Sequence, residues 1–237
     1  MDASTRDFAA VVLAAVKGVD YAIEVRESGG YVAVVALHGG GIEPLTGELA
    51  DAIAGAGHNL YLFRGLRESG NDALRVSPLR AQEMRLDNLI RRSKTVLSIA
   101  GAADVGRTVQ VGGANEILRA LLLQRLQEAG FEARPSETPG VDHSRAYFFN
   151  QAGLGGVQLE LSAALRASLV NAPLHAFRWQ DPACWNERLH DLVRAVRAAL
   201  ATYVAADRAD LAKTLERFER TTQRVPRWMR RGDGHAN

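Results

Sequence analysis

The 237 residues carry 29 Lys and Arg against 27 Asp and Glu, a formal net charge of +2, with 47% hydrophobic and 24% charged residues. These are globular values, sufficient for one α/β domain that buries a two-sided sheet, and the charge is too balanced to predict nucleic-acid binding despite a sequence pI of about 8.9. The single Cys184 excludes an internal disulfide and a Cys-rich zinc site, no apolar run is long enough to cross a membrane, and Asp2, Arg6 and Asp7 do not form the basic start of a secretory leader, so cytoplasmic residence is expected.

In chain order, Thr5 to Lys17 predicts an amphipathic helix and Val19 to Arg26 a strand closed by Ser28-Gly29-Gly30. Tyr31 to Leu37 is a nearly unbroken apolar run rich in valine, the pattern of a strand inside a sheet. Thr46 is expected to N-cap a helix with Leu49, Ile53 and Ala56 on its apolar side, stopped at Gly57. His58 to Phe63 predicts a strand, Leu86, Leu89 and Ile90 a helix, and Thr95 to Ala100 another buried strand. The stretch from Gly101 to Gly113 predicts a loop, Asn115 to Ala129 a helix ended by Gly130, Phe131 to Arg134 a short strand, and Val157 to Leu161 the last strand. Two helices are expected from Asn186 to Val204 and from Asp207 to Arg220, followed by a tail with four arginines, Arg224, Arg227, Arg230 and Arg231. The expected organisation is an α/β domain over 1–180, a helical extension over 181–223 packed on it, and a solvated basic tail over 224–237.

Chemistry concentrates where the valine-rich strand ends. Ligands of open α/β sheets gather beyond the carboxyl ends of the strands, and there His38 is followed by Gly39, Gly40 and Gly41, with Glu43 five residues on. A tight turn would aim the imidazole and the carboxylate at one point, as a zinc site requires; a hydrogen-bonded loop with a solvated carboxylate is the plainer alternative. An esterase oxyanion hole would need a G-x-S-x-G elbow and a dinucleotide site a G-x-G-x-x-G, and neither occurs. The other unusual residue is Glu160. Alternation of Val157, Leu159 and Leu161 puts it with Gln158 on the opposite face of its strand, where a carboxylate must be paired, metal-associated or catalytic unless the strand is a wet edge.

Four ordered segments resemble the poly-γ-glutamate hydrolase family, which is similar in fold to the zinc carboxypeptidases. They are VALHGGGIEP-x-T-x-E at Val35 to Glu48, NLYLF-x-G at Asn59 to Gly65, VGG at Val111 to Gly113 and GVQLELS-x-x-LR at Gly156 to Arg166. The resemblance implies a three-layer αβα fold with a mostly parallel or mixed central sheet, and zinc-dependent hydrolysis of γ-glutamyl amides. It places His38 and Glu43 on two zinc ligands and Glu160 on the general base. The third ligand is a histidine in the family, where this chain has Ala100; Asp104 and His143 are candidate replacements. Leu74-Arg75-Val76 stands where the family tends to have L-H-I, and Gln151 follows Asn150 where an arginine is common. A polyanionic glutamyl oligomer, or another small acidic substrate, would draw on Arg166, Arg107, Arg145 and Asn150, with Arg75 a further cation. The alternative reading is a non-catalytic binding protein on the same scaffold.

Overall fold

Seven strands are formed by Tyr21–Arg26 (β1), Val32–Gly40 (β2), Asn59–Gly65 (β3), Thr95–Ala102 (β4), Thr108–Gly112 (β5), Glu132–Pro135 (β6) and Gly156–Ser162 (β7). They make one mixed sheet in the order β1-β3-β2-β4-β7-β5-β6. This computed structural model describes residues 6–79, 81–103, 106–174 and 180–223. Strands β3, β2, β4 and β7 are mutually parallel, while β1 joins β3 and β5 joins β7 antiparallel. The carboxyl ends of β2, β4 and β7 therefore lie side by side at one rim.

The helices are Phe8–Leu13 (α1), Thr46–Ala54 (α2), Met84–Arg92 (α3), Glu116–Glu128 (α4), Ala163–Ser168 (α5) and Glu187–Gln223 (α6). Strand alternation divides the core between the two sheet faces. On one face Val32, Val34, Leu97 and Leu159 pack with Leu49 and Ile53 of α2, Leu122 of α4 and Val196 of α6. On the other, Val35, Tyr61 and Phe63 pack with Phe8 of α1 and Leu86 and Leu89 of α3. Each fully buried Leu or Ile contributes roughly 1.5–3 kcal/mol, so both layers are needed to hold the sheet. All nine residues of β2 are buried, as expected of a central strand.

The structure departs from several expectations. The Gly101–Gly113 stretch holds a strand, β5, whose Val109 and Val111 alternate inward; its flanking glycines obscured a period-two pattern only five residues long. That strand covers β7, so Glu160 lies on an interior strand between β4 and β5 rather than on an edge. The C-terminal region is one helix, because Ala205 and Ala206 are strong helix formers with no Gly or Pro to break the turn. Lastly, Thr46 is the first helical residue and Leu45 the cap, without a side-chain capping bond. The expected start at Thr5 and the arginine tail lie outside the described residues. No described helix is long and apolar enough to cross a membrane.

Candidate functional site

The site begins with a bulge. Strand β2 matches Ala36 to Leu62 and Gly39 to Arg64, three steps against two on β3, so the extra residue falls in the stretch that contains His38. A bulge of this kind re-aims a side chain next to a site. Gly40 follows at φ 65, and a Cβ there would stand 2.2 Å from the Gly65 carbonyl oxygen, so only glycine fits. The chain then folds back on itself: the Glu43 amide donates to the His38 carbonyl at 2.8 Å. The Thr46 hydroxyl bonds the Glu43 carbonyl at 2.8 Å and the His38 carbonyl at 3.2 Å. Leu45, at φ 79, is the only non-glycine with positive φ among the described residues. Its conformation costs on the order of 1–2 kcal/mol and is held by complete burial of its side chain.

The turn brings His38 and Glu43 together, 8% and 3% exposed. His38 Nδ1 lies 3.0 Å from Glu43 Oε1, and His38 Nε2 lies 2.8 Å from the Val76 carbonyl oxygen. A carbonyl only accepts, so Nε2 donates to Val76, and Nδ1 is the ring nitrogen turned toward the Glu43 carboxylate. Arg75 Nη1 also donates to Glu43 Oε1, and the Gly101 amide donates to Oε2 at 2.6 Å. Burial pushes the Glu43 carboxyl upward, but the charge and hydrogen bond of His38, the Arg75 guanidinium and the Gly101 amide outweigh it. The net effect holds Glu43 below the usual carboxylate value of 4.5.

Glu160 joins the same hollow from β7. In register it sits between Ala100 of β4 and Gln110 of β5. A cavity of about 230 Å³ is lined by His38, Glu43, Ala100, Gln158 and Glu160, with Phe148 among its other walls. A wider cleft of about 750 Å³ shares Glu43, Arg75, Gly101 and Glu160 and adds Asp72 and Arg166. The three positions singled out at 38, 43 and 160 thus line one cavity.

Arg166 is 6% exposed and ties strand ends together. It donates to the carbonyls of Pro44 at 2.9 Å, Leu161 at 3.3 Å and Ala102 at 3.4 Å. Its guanidinium lies over Gly101, where a Cβ would come within 2.8 Å of Cζ. Burial draws the Arg166 guanidinium below its usual value; the Glu43 charge opposes this and that of Arg75 adds to it.

The remaining candidates stand elsewhere. Arg107 is exposed and lines neither hollow, and Arg145 is exposed and donates to the Gln151 carbonyl. Asn150, 1% exposed, is a staple whose amide holds the Val141 and Ser144 carbonyls and accepts from the Ala114 amide. His143 sits exposed in a turn outside both hollows, and Asp104 lies outside the described residues. Sequence reasoning missed the Gly101 amide and the Val76 carbonyl, backbone groups whose roles leave no trace in residue type. The register that sets Gln110 beside Glu160 was equally hidden while β5 read as a loop.

A catalytic zinc needs three protein ligands and an open position. Here Ala100 presents a methyl group to the cavity, and both oxygens of Glu43 already bond Arg75 and Gly101. Among the described residues no group of three or more His, Cys, Asp and Glu side chains is placed to hold a metal. The residues present do not fit the metal that the resemblance implies.

Comparison with known proteins agrees with the fold. The structure superposes on a bacteriophage poly-gamma-glutamate hydrolase with a TM-score of 0.78 and 27% identity, covering 86% of this chain and 99% of that one. A zinc-free structure of YndL gives a TM-score of 0.68 at 29% identity, covering 77% and 90% of the two chains. In sequence, the UPF0714 protein YndL of Bacillus subtilis (strain 168) is 33% identical over 156 residues, 63% of this chain and 60% of that protein. The prophage-derived YoqZ of the same organism is 31% identical over 144 residues, 59% of this chain and 52% of that protein. The chain thus spans between half and two thirds of the length of these curated relatives. Residues 6–194 match the family profile described as poly-gamma-glutamate hydrolase, and the chain belongs to that family.

Proposed function

We propose that this family member binds a γ-linked glutamyl chain, or another amide bearing carboxylates, in the hollow at the carboxyl ends of β2, β4 and β7, and does not cleave it by a metal route. The observation that carries this reading is the methyl group of Ala100 on the wall shared by His38, Glu43 and Glu160. The polar groups suit such a ligand. The Arg75 guanidinium borders the cleft with N–H donors matched to a carboxylate. Glu160, on the wall of both hollows, and Ser98 and Gln158, in the smaller one, supply acceptors for amide N–H groups. An acidic ligand bound among Asp72, Glu43 and Glu160 must present its carboxylates to the arginines and its amides to the acids, which favours an extended chain with alternating groups over a simple anion.

The second reading is hydrolysis of γ-glutamyl amides with zinc on His38 and Glu43 and Glu160 as general base. It draws on the meeting of these three residues at one cavity. Calorimetric titration of EDTA-treated protein with γ-linked and α-linked glutamyl oligomers, with mass spectrometry of the mixture, separates the two. Binding of the γ-linked chain in EDTA without cleavage is expected. Cleavage that depends on one equivalent of zinc would establish the hydrolase instead, and no binding of either oligomer would reject the binding reading.

A further inference from the structure

We infer that Arg75 is the resident cation of this site, and that its guanidinium, not the loss of a ligand at position 100 alone, bars a divalent metal from His38 and Glu43. The inference rests on the metal-free reading above and names the residue that enforces it. Glu43 is 3% exposed, and a buried carboxylate requires an opposite charge in contact. The guanidinium supplies it directly, by donating to Oε1, the oxygen that also faces His38 Nδ1. Asp72 stands on its outer side, 3.7 Å from Nη2.

The arginine is also firmly rooted. Its amide closes the short 3₁₀ turn Asn71–Leu74 by bonding the Asp72 carbonyl at 3.1 Å. Its own carbonyl accepts from the Arg6 amide at 3.2 Å, and two residues on the Ser77 amide returns a bond to the Arg6 carbonyl at 2.9 Å. Between them, the Val76 carbonyl holds His38 Nε2. One short segment, pinned to the start of the described chain, therefore fixes both side chains that a metal would need: the histidine through a backbone carbonyl and the glutamate through a guanidinium.

Charge makes this exclusive. A divalent ion placed between His38 Nδ1 and Glu43 Oε1 would share that oxygen with the guanidinium, with the positive charge of Arg166 also on the cleft. Two positive groups held on one carboxylate oxygen repel each other. Arginine does not lose its proton at any accessible pH, so alkaline conditions would not open the site. Ala100 lines the same cavity as His38 and Glu43, so a histidine introduced there could reach them; with Arg75 in place, three ligands would still face an occupied carboxylate.

Four proteins test this: the natural chain, Ala100→His, Ala100→His with Arg75→His, and Ala100→His with Arg75→Gln, the last removing the charge without offering a new ligand. Equilibrium dialysis measures zinc affinity, cobalt(II) absorption in the visible reports the ligand field, and circular dichroism melts confirm folding. The natural chain and the single variant are expected to bind zinc weakly and without saturation at one equivalent. The Gln-containing double variant is expected to bind one equivalent at least about a hundredfold tighter. Ala100→His alone binding within tenfold of the double variants would overturn the role of Arg75, as would folded double variants that bind no tighter than the single one. Tight stoichiometric zinc on the natural chain would overturn both this inference and the metal-free reading. No calorimetric binding of the γ-linked glutamyl oligomer by the natural chain, with the expected metal pattern, would overturn the binding reading alone.

Discussion

Replacing Glu43 by glutamine isolates the charge on which the site is built. The side chain keeps its shape, but its oxygen can serve either Arg75 or the Gly101 amide and not both, and its new N–H₂ faces donors on every side. Breaking a buried pair by neutralising one partner costs about 3–5 kcal/mol. The Arg75 side chain is 25% exposed and retains Asp72, so solvent recovers part of that, leaving a loss of about 3 kcal/mol. An unfolding entropy of about 2.1 cal/mol/K per residue gives about 0.5 kcal/mol/K for the chain, hence a fall in Tm of about 6 °C at neutral pH. The difference should shrink in acid. Because the folded carboxyl titrates below 4.5, the unfolded chain binds more protons between the two values. The contribution of Glu43 is therefore complete above 4.5 and is lost as pH falls through the folded value, while glutamine does not titrate. Calorimetric melts of both proteins at neutral pH and at about pH 3 measure this. A Tm difference under about 1 °C, or one as large in acid as at neutrality, would refute an ionised, paired Glu43.

Arg166→Met removes a buried guanidinium from three carbonyls and should cost roughly 2–3 kcal/mol, read as a lower urea midpoint with an unchanged slope. Asn150→Ala orphans two carbonyls and an amide; a loss of about 3 kcal/mol in the same assay, with glutamyl-chain affinity changed less than twofold, is expected. Arg107→Ala and Arg145→Ala, both outside the hollows, should leave ligand affinity within twofold by calorimetry, whereas Arg75→Ala should reduce it at least about tenfold. Burial, and then the charge of Arg197, lower the His58 pKa below 6.5. The unfolded chain thus takes up a proton first, stability declines as pH falls from above 6.5 toward the folded value, and His58→Gln should flatten that part of the stability profile.

Much of the fold was legible because it rests on local patterns: the valine run of β2, the periodic helix α4 with its Asn115 cap, and the inward alternation of β7 each appear in consecutive residues. What failed was non-local. Strand β5 is recognisable as a strand only through its partners β6 and β7. Whether Glu160 lay inside the sheet or at its edge turned on that one missed pairing.

The site divides along the same line. His38 and Glu43 are five residues apart and could be joined by one turn, so their meeting was readable. Arg75 comes 32 residues after Glu43, just past a short 3₁₀ turn, and sequence reasoning named it only as one of four arginines for an acidic substrate. Its identity was visible; its partner was not. The difference is physical, because a residue type reports its charge, whereas only the fold reports which buried opposite charge it must neutralise. Motif residues read from a sequence show whether candidate ligands are present. Whether a metal can enter depends also on what else already satisfies those ligands, and here a fixed guanidinium does so on Glu43.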